Sequence, residues 1–122
     1  MAPRINTGHD KGYKCVNANC GQHNLILNMA AVNDDDWTCK TCGGPLNVMI
    51  VNANTTIFVR RIRARDVAVG DQMYLPHKFS IAHPVVDSGM ATEKAFAHKW
   101  RLAMKKGGGV VYRMPDEFVD LS

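Results

Sequence analysis

The sequence predicts an α+β protein: an N-terminal module held by metal, a small antiparallel sheet or partial barrel, and one helix packed on it. Three observations lead there. Four cysteines fall within residues 15–42 as two short loops. A run rich in β-branched and aromatic residues occupies positions 55–65. Residues 91–106 carry apolar side chains at helical spacing and end on Gly107-Gly-Gly109. The 122 residues suit two small modules, 1–51 with the cysteines and a basic β-rich part at 52–122.

Composition narrows the class further. Hydrophobic residues make up 46% of the chain and charged residues 21%, the balance of a globular domain rather than a disordered one. No run of about 18 apolar residues occurs, so no helix is expected to span a bilayer. The opening Met-Ala-Pro-Arg-Ile-Asn has no apolar stretch after its first basic residue, unlike a secretory leader. A cytoplasmic, reducing compartment is the resulting expectation, and there thiols stay available to metal. Charge is unevenly placed. Residues 1–54 hold four Lys/Arg against four Asp/Glu, whereas residues 55–122 hold eleven against seven, so the whole net +4 lies in the second part. A basic half points to an acidic partner such as nucleic acid.

The cysteines follow the pattern Cys15-x4-Cys20, eighteen intervening residues, then Cys39-x2-Cys42. Two short loops offering two thiolates each match the tetrahedral, soft-donor shell that zinc favours. Gly43 and Gly44 let the backbone curl under a metal after Cys42. The first loop, Cys15-Val-Asn-Ala-Asn-Cys20-Gly21, is two residues longer, with turn-forming asparagines. Four cysteine ligands close the shell and leave no position for water, so the Zn2+ expected here is structural. A module of about 40 residues buries too little apolar surface to fold unaided, and metal binding supplies on the order of 10 kcal/mol. The same cysteines also admit two disulfides, a redox Cys-x-x-Cys pair, or four-thiolate iron. His9 or His23 could stand in for one thiolate.

Over about residues 12–50 these loops resemble the knuckles of the zinc-ribbon and rubredoxin-like group. The resemblance implies that each knuckle sits at the tip of a hairpin and that the metal joins the tips. Strands are then expected at about 23–29 and 46–51, with Asn33-Asp-Asp-Asp36 as a polar turn between them.

The second part is read element by element. In a strand over 55–65, alternation sends Phe58, Arg60, Ile62 and Ala64 to one face, and Val59, Arg61, Arg63 and Arg65 to the other. Arginines two residues apart would stand about 6.6 Å from one another, a comb suited to a phosphate backbone. Asp66–Pro76 has apolar flanks around Gly70-Asp71, a hairpin signal. That phrase resembles the strand-turn-strand entry of small β-barrels, Hint-like and SH3-like domains among them. No self-cleaving nucleophile is implied, since all four cysteines sit in the knuckles. Pro76 and Pro84 predict an irregular loop carrying His77, His83 and Asp87, a trio able to do acid–base chemistry. The helix at 91–106 would be capped by Ser88 or Thr92 and stopped by Gly107. It would bury Phe96, Trp100, Ala103 and Met104 and expose a basic stripe of Lys94, His98, Arg101 and Lys105. A strand at 110–113, a turn at 114–117 and an edge strand at 118–121 close the chain.

The leading functional expectation is a zinc-stabilised nucleic-acid-binding protein, a small regulator of transcription or replication with no catalytic residue. Arg60, Arg61, Arg63, Arg65, Lys94, Arg101 and Lys105 would contact phosphate. One alternative is a protein-interaction module that docks on an acidic partner or inhibits a larger enzyme. Another is a hydrolase or nuclease that uses the loop histidines.

Overall fold

A computed structural model describes residues 5, 7–23, 25–52, 54–75 and 78–122, with the side chain of residue 52 set aside. Among them are ten strands and three short 3-10 turns, and no α-helix. The expectation of an α+β protein is therefore corrected to a nearly all-antiparallel β protein. The chain divides into two compact units, the first running through Arg61 and the second from Ile62 onward.

In the first unit, β4 (Leu46–Asn52) pairs antiparallel with both β1 (Asp10–Cys15) and β5 (Thr55–Arg63). The expected strand at 46–51 is thus present. Period-two alternation explains the burial. Val48, Ile50 and Val59 are fully enclosed with Tyr13, Cys15 and Leu46, while Lys14, Asn47, Met49, Phe58 and Arg60, which alternate with them, are half-buried or exposed. The expected strand at 23–29 is not formed, and β1 leads into the first knuckle. Among the described residues of 23–29, Leu27 alone bridges Tyr13, by paired backbone hydrogen bonds of 3.0 and 2.8 Å. The cause is local. A turn closes Leu25 N–H onto Gln22 O, and Asn28 caps a 3-10 turn at Met29–Ala31 through Ala30 N–H. Between the knuckles, β2 (Val32–Asn33) and β3 (Thr38–Cys39) form a two-stranded hairpin around the expected polar turn. The expected turn at 52–54 includes residue 53, which lies outside the described residues.

The second unit is a ladder in the order β10 (Phe118–Leu121), β6 (Gln72–Leu75), β7 (Lys78–Met90), β8 (Trp100–Met104), β9 (Gly109–Arg113). Its core gathers Ala64, Val67, Met73, Val85, Leu102, Met104, Val119 and Leu121. The stretch expected as a loop, 76–90, is mostly the thirteen-residue strand β7, whose first half pairs β6 and second half β8. Pro84 is accommodated because its carbonyl, the group a proline keeps, accepts from Lys105 N–H at 3.0 Å. The Gly70-Asp71 turn forms, with Gly70 at φ 100°, but only its C-terminal flank is a strand; Ala64–Asp66 is a 3-10 turn. Residues 109–113 are a strand and 114–117 turn, as expected. Phe118–Leu121 is buried along its whole length, unlike an exposed edge.

The expected helix at 91–106 is absent. Lys94–Phe96 makes one 3-10 turn, His98 adopts φ 68°, and Ala91 N–H closes a hairpin onto Lys99 O at 2.9 Å. Left-handed backbone at a non-glycine residue cannot continue a helix. The deciding residue is Leu102, fully buried although it falls off the helical stripe. Trp100, Leu102 and Met104 alternate with Arg101, and that period places Leu102 and Met104 in the core, with Trp100 packed against it. Trp100 Nε1–H donates to Ser88 Oγ at 2.9 Å, and Ser88 Oγ–H donates to Val67 O at 2.7 Å, so the half-buried indole keeps its polar tip satisfied.

The β8–β9 turn is tightly packed on β7. A Cβ on Gly108 would lie 2.7 Å from Met104 Cβ and 2.8 Å from His83 Cγ. Gly108→Ala is therefore expected to destabilise the protein by about 1–3 kcal/mol through overpacking. A lowered urea midpoint at unchanged slope is the measurement that checks it.

Candidate metal centre

Cys15 ends β1, Cys20 closes the first knuckle, Cys39 ends β3, and Cys42 lies three residues ahead of the bridging Pro45 that leads into β4. The pairing of β1 with β4 brings the two knuckles together, and Val16 N–H bonds Pro45 O at 3.2 Å. All four sulfurs lie within 4.8 Å of one another. Cys15 and Cys42 Sγ are 3.5 Å apart, and Cys20 and Cys39 Sγ 4.0 Å. A tetrahedron with metal–sulfur bonds of about 2.3 Å has edges of about 3.8 Å. No disulfide joins the four cysteines in this arrangement, the nearest sulfurs standing well beyond the S–S bond length of about 2.05 Å. These four cysteines could hold a metal ion.

The loops are shaped for that cluster. Gly43 takes φ 73° and bonds Cys39 O at 2.7 Å, while Cys39 N–H bonds Gly44 O at 2.9 Å. Amide N–H groups of Gln22 and Gly44 approach Cys20 and Cys42 Sγ at 3.4 Å each. In the longer first loop, Asn17 supplies the turn by accepting from Cys20 N–H and Asn19 N–H at 3.0 Å. His23 is not among the four; its Nδ1 sits 3.1 Å from Cys15 O and steadies the knuckle.

Electrostatics divide the thiols. Burial pushes Cys15 up to about 12, and the neighbouring sulfurs add to it. The Gln22 amide draws Cys20 down, but burial and the Cys42 thiol together outweigh it and leave it raised. Burial acts upward on Cys39, yet the amides of Cys42 and Thr41 and the neighbouring thiols leave it lowered. The Gly44 amide, helped by Cys15, brings the exposed Cys42 down to about 7. Cys39 and Cys42 thus ionise more readily than Cys15 and Cys20, and a cation among the sulfurs would favour the thiolate at all four.

The basic residues are dispersed. Arg61 has a side chain 0% exposed and is clamped by Asp10, with Nη1 and Nη2 donating to the two carboxylate oxygens at 2.8 and 2.9 Å. Its guanidinium lies 4.4 Å from the Trp37 ring centroid, and Tyr13 O–H donates to Asp10 at 2.6 Å. Val59 and Arg61 do share a face, as alternation requires, but that face is the core. Beyond Arg63 the strand gives way to a 3-10 turn, so Arg65 leaves the expected row; Arg63 and Arg65 both meet Asp116. Arg60 is exposed on the opposite face of β5. Without a helix, Lys94, Arg101 and Lys105 form no helical stripe. Lys94 and Lys105 are exposed in turns, and Arg101 pairs with Asp87 at 2.6 Å and Glu93 at 3.7 Å.

His83 is buried in β7 with Nδ1 3.1 Å from Lys106 O, and Asp87 is engaged with Arg101. His77 lies outside the described residues. The buried cluster of Asp10, Tyr13, Trp37 and Arg61 was not foreseen from sequence, because fifty-one positions separate its charged partners. The alternation of Arg61 with Val59, a β-branched residue suited to a core, was the available signal. No protein-family model, curated protein or solved structure matches this chain.

Proposed function

We propose that the protein is a zinc-stabilised nucleic-acid-binding protein in which the metal has a structural role. The four-sulfur cluster carries the proposal: its spacing fits a tetrahedral ion, and four thiolates complete the shell. Nucleic acid as the partner is supported by the net charge of +4 and by the exposure of Arg60, Lys94 and Lys105. With no base-reading element assigned, binding is expected to rest on backbone contacts and to tolerate sequence.

Elemental analysis of protein purified without added metal is expected to return one zinc per chain. Cobalt substitution should give the intense visible bands of a tetrahedral thiolate site; a red, iron-loaded protein would overturn the choice of zinc. Fluorescence anisotropy against labelled DNA and RNA should show affinity falling steeply with salt. Absence of binding at low salt, or a flat salt dependence, overturns the nucleic-acid reading.

Zinc affinity should also depend on pH with a definite sign. At pH 7 the raised Cys15 and Cys20 hold protons that must leave when the metal enters. With Cys42, at about 7, partly protonated as well, at least two protons leave, and binding should weaken by at least about a hundredfold for each unit of acidification, as read by competition with a chromophoric chelator.

A further inference from the structure

The three-stranded ladder of the first unit has an outward face whose composition is unlike that of a solvated sheet. Register places Lys14, Asn47 and Arg60 side by side in one row across β1, β4 and β5. The next row is Gly12, Met49 and Phe58. The residues that alternate with them, Tyr13, Val48, Ile50 and Val59, are buried in the core, so these two rows face the other way, with Gly12 buried there beneath Ile26. Phe58 is 43% exposed, a large aromatic ring left in water by a strand whose buried residues, Val59 and Arg61, lie on its other face. Lys14 Nζ stands 5.7 Å from the Phe58 ring centroid. Ile26, also exposed, covers Gly12, where an added Cβ would meet its Cγ2 at 2.5 Å. No residue in the two rows is acidic, and Asp10, the carboxylate nearest in sequence, is turned inward onto Arg61 by the bulge between Asp10 and Gly12.

We propose that this face, centred on Phe58 and flanked by Lys14 and Arg60, is a binding platform for single-stranded nucleic acid. An exposed aromatic ring offers a stacking surface that every base can use, and cations beside it meet the phosphates. The row spacing supports the pairing. Lys14 and Arg60 lie two strand positions apart, about 10 Å, with Asn47 between them and the ring in the adjacent row. A backbone can run along the cationic row while a base turns onto Phe58. A duplex keeps its bases stacked inside and would leave the ring unused, so the platform favours single strands. An acidic peptide could meet the two cations, but it would not use a flat ring in this way. The proposal rests on the nucleic-acid reading above and gives it a location.

The test is fluorescence anisotropy with labelled oligo(dT) and oligo(U), and with a duplex of the same length, on the zinc-loaded full chain. Wild type should prefer the single strands. Phe58→Ala should weaken single-strand binding about tenfold, whereas Phe58→Trp restores it, because the wider ring keeps the stack. Lys14→Ala with Arg60→Ala should reduce the salt slope by about 1.4, the signature of two lost phosphate contacts on a single strand. Zinc content and the urea midpoint are followed in each variant, so that lost binding is not mistaken for lost fold; Val69→Ala, on exposed surface of the second unit, serves as control. If wild type binds single strands and the Phe58 and Lys14/Arg60 variants bind equally well, the platform is overturned while nucleic-acid binding stands. A preference for duplex overturns the platform as well. If wild type binds neither strand form, both readings fall; capture of a polyglutamate peptide at the same face would then identify an acidic protein ligand in their place.

Discussion

Cys39→Ser is expected to abolish stoichiometric zinc binding and, with it, the cooperative fold of the first unit. Cys39 is fully buried, ends β3, and receives its local hydrogen bonds from the second knuckle. Serine keeps the size but does not provide a thiolate, so one ligand of four is lost. The metal's contribution to folding is on the order of 10 kcal/mol for sites of this kind. That is comparable to the whole stability of an ordinary domain, about 5–15 kcal/mol. The apolar core of this unit is short, built on Val48, Ile50, Val59 and the residues around them. It cannot replace the metal. NMR spectra of the variant should show collapse of amide dispersion for β1, β3 and β4, and wild-type protein treated with a strong chelator should show the same pattern. A chelated wild type that keeps its spectrum and its melting transition would show that the metal is dispensable to the fold.

The second large effect is expected at the buried ion pair. Arg61→Met should destabilise the protein by about 3–5 kcal/mol, because Asp10 would remain enclosed without a counter-charge. The side chains of Arg61 and Asp10 are 0% and 4% exposed, so water cannot compensate. Asp10→Leu alone should also be costly, since it removes the carboxylate to which both Nη1 and Nη2 of Arg61 donate. Made together, the two changes should cost clearly less than their sum, since no charge is left unpaired. Urea unfolding of the four proteins gives the coupling, and additivity of the two single effects would show that the pair is not energetically linked. Tyr13 belongs to the same cluster and adds a pH dependence. Burial, followed by its hydrogen bond to Asp10, raises the phenol above its ordinary value of 10.0. Folding therefore favours the neutral phenol. Its contribution is complete below pH about 10, the unfolded value, and declines as pH rises above it. Tyr13→Phe should flatten that alkaline decline.

How much of this was legible in sequence depends on how local each interaction is. The ligand set Cys15, Cys20, Cys39 and Cys42 could be read directly, since each pair lies within a short loop whose turn residues are its own neighbours. The strands at 46–52 and 109–113 were readable from β-branched content for the same reason. The strand at 78–90 was hidden by Pro84, a residue that reads as a breaker until the donor to its carbonyl, Lys105 N–H, is known. The segment 91–106 reads as a helix by spacing and as a strand by the alternation of Trp100, Leu102 and Met104. Helical hydrogen bonds close within the segment, whereas a strand depends on partners elsewhere, here β7 and β9.

The basic residues illustrate the same division. Sequence established that eleven Lys/Arg lie beyond residue 54, and it ordered Phe58, Val59, Arg60 and Arg61 correctly into two faces. It did not say which face was the core. Tertiary structure decided that Arg61 is enclosed with Asp10, that Arg63 and Arg65 meet Asp116, and that Phe58 and Arg60 face outward beside Lys14. The physical reason is that alternation is a property of one strand, while burial and charge pairing belong to the strands laid against it. The sequence by itself determined the four cysteines that could hold a metal and the period of the strands. The pairing of β4 with β1 and β5 determined which arginine is structural and which remains at the surface.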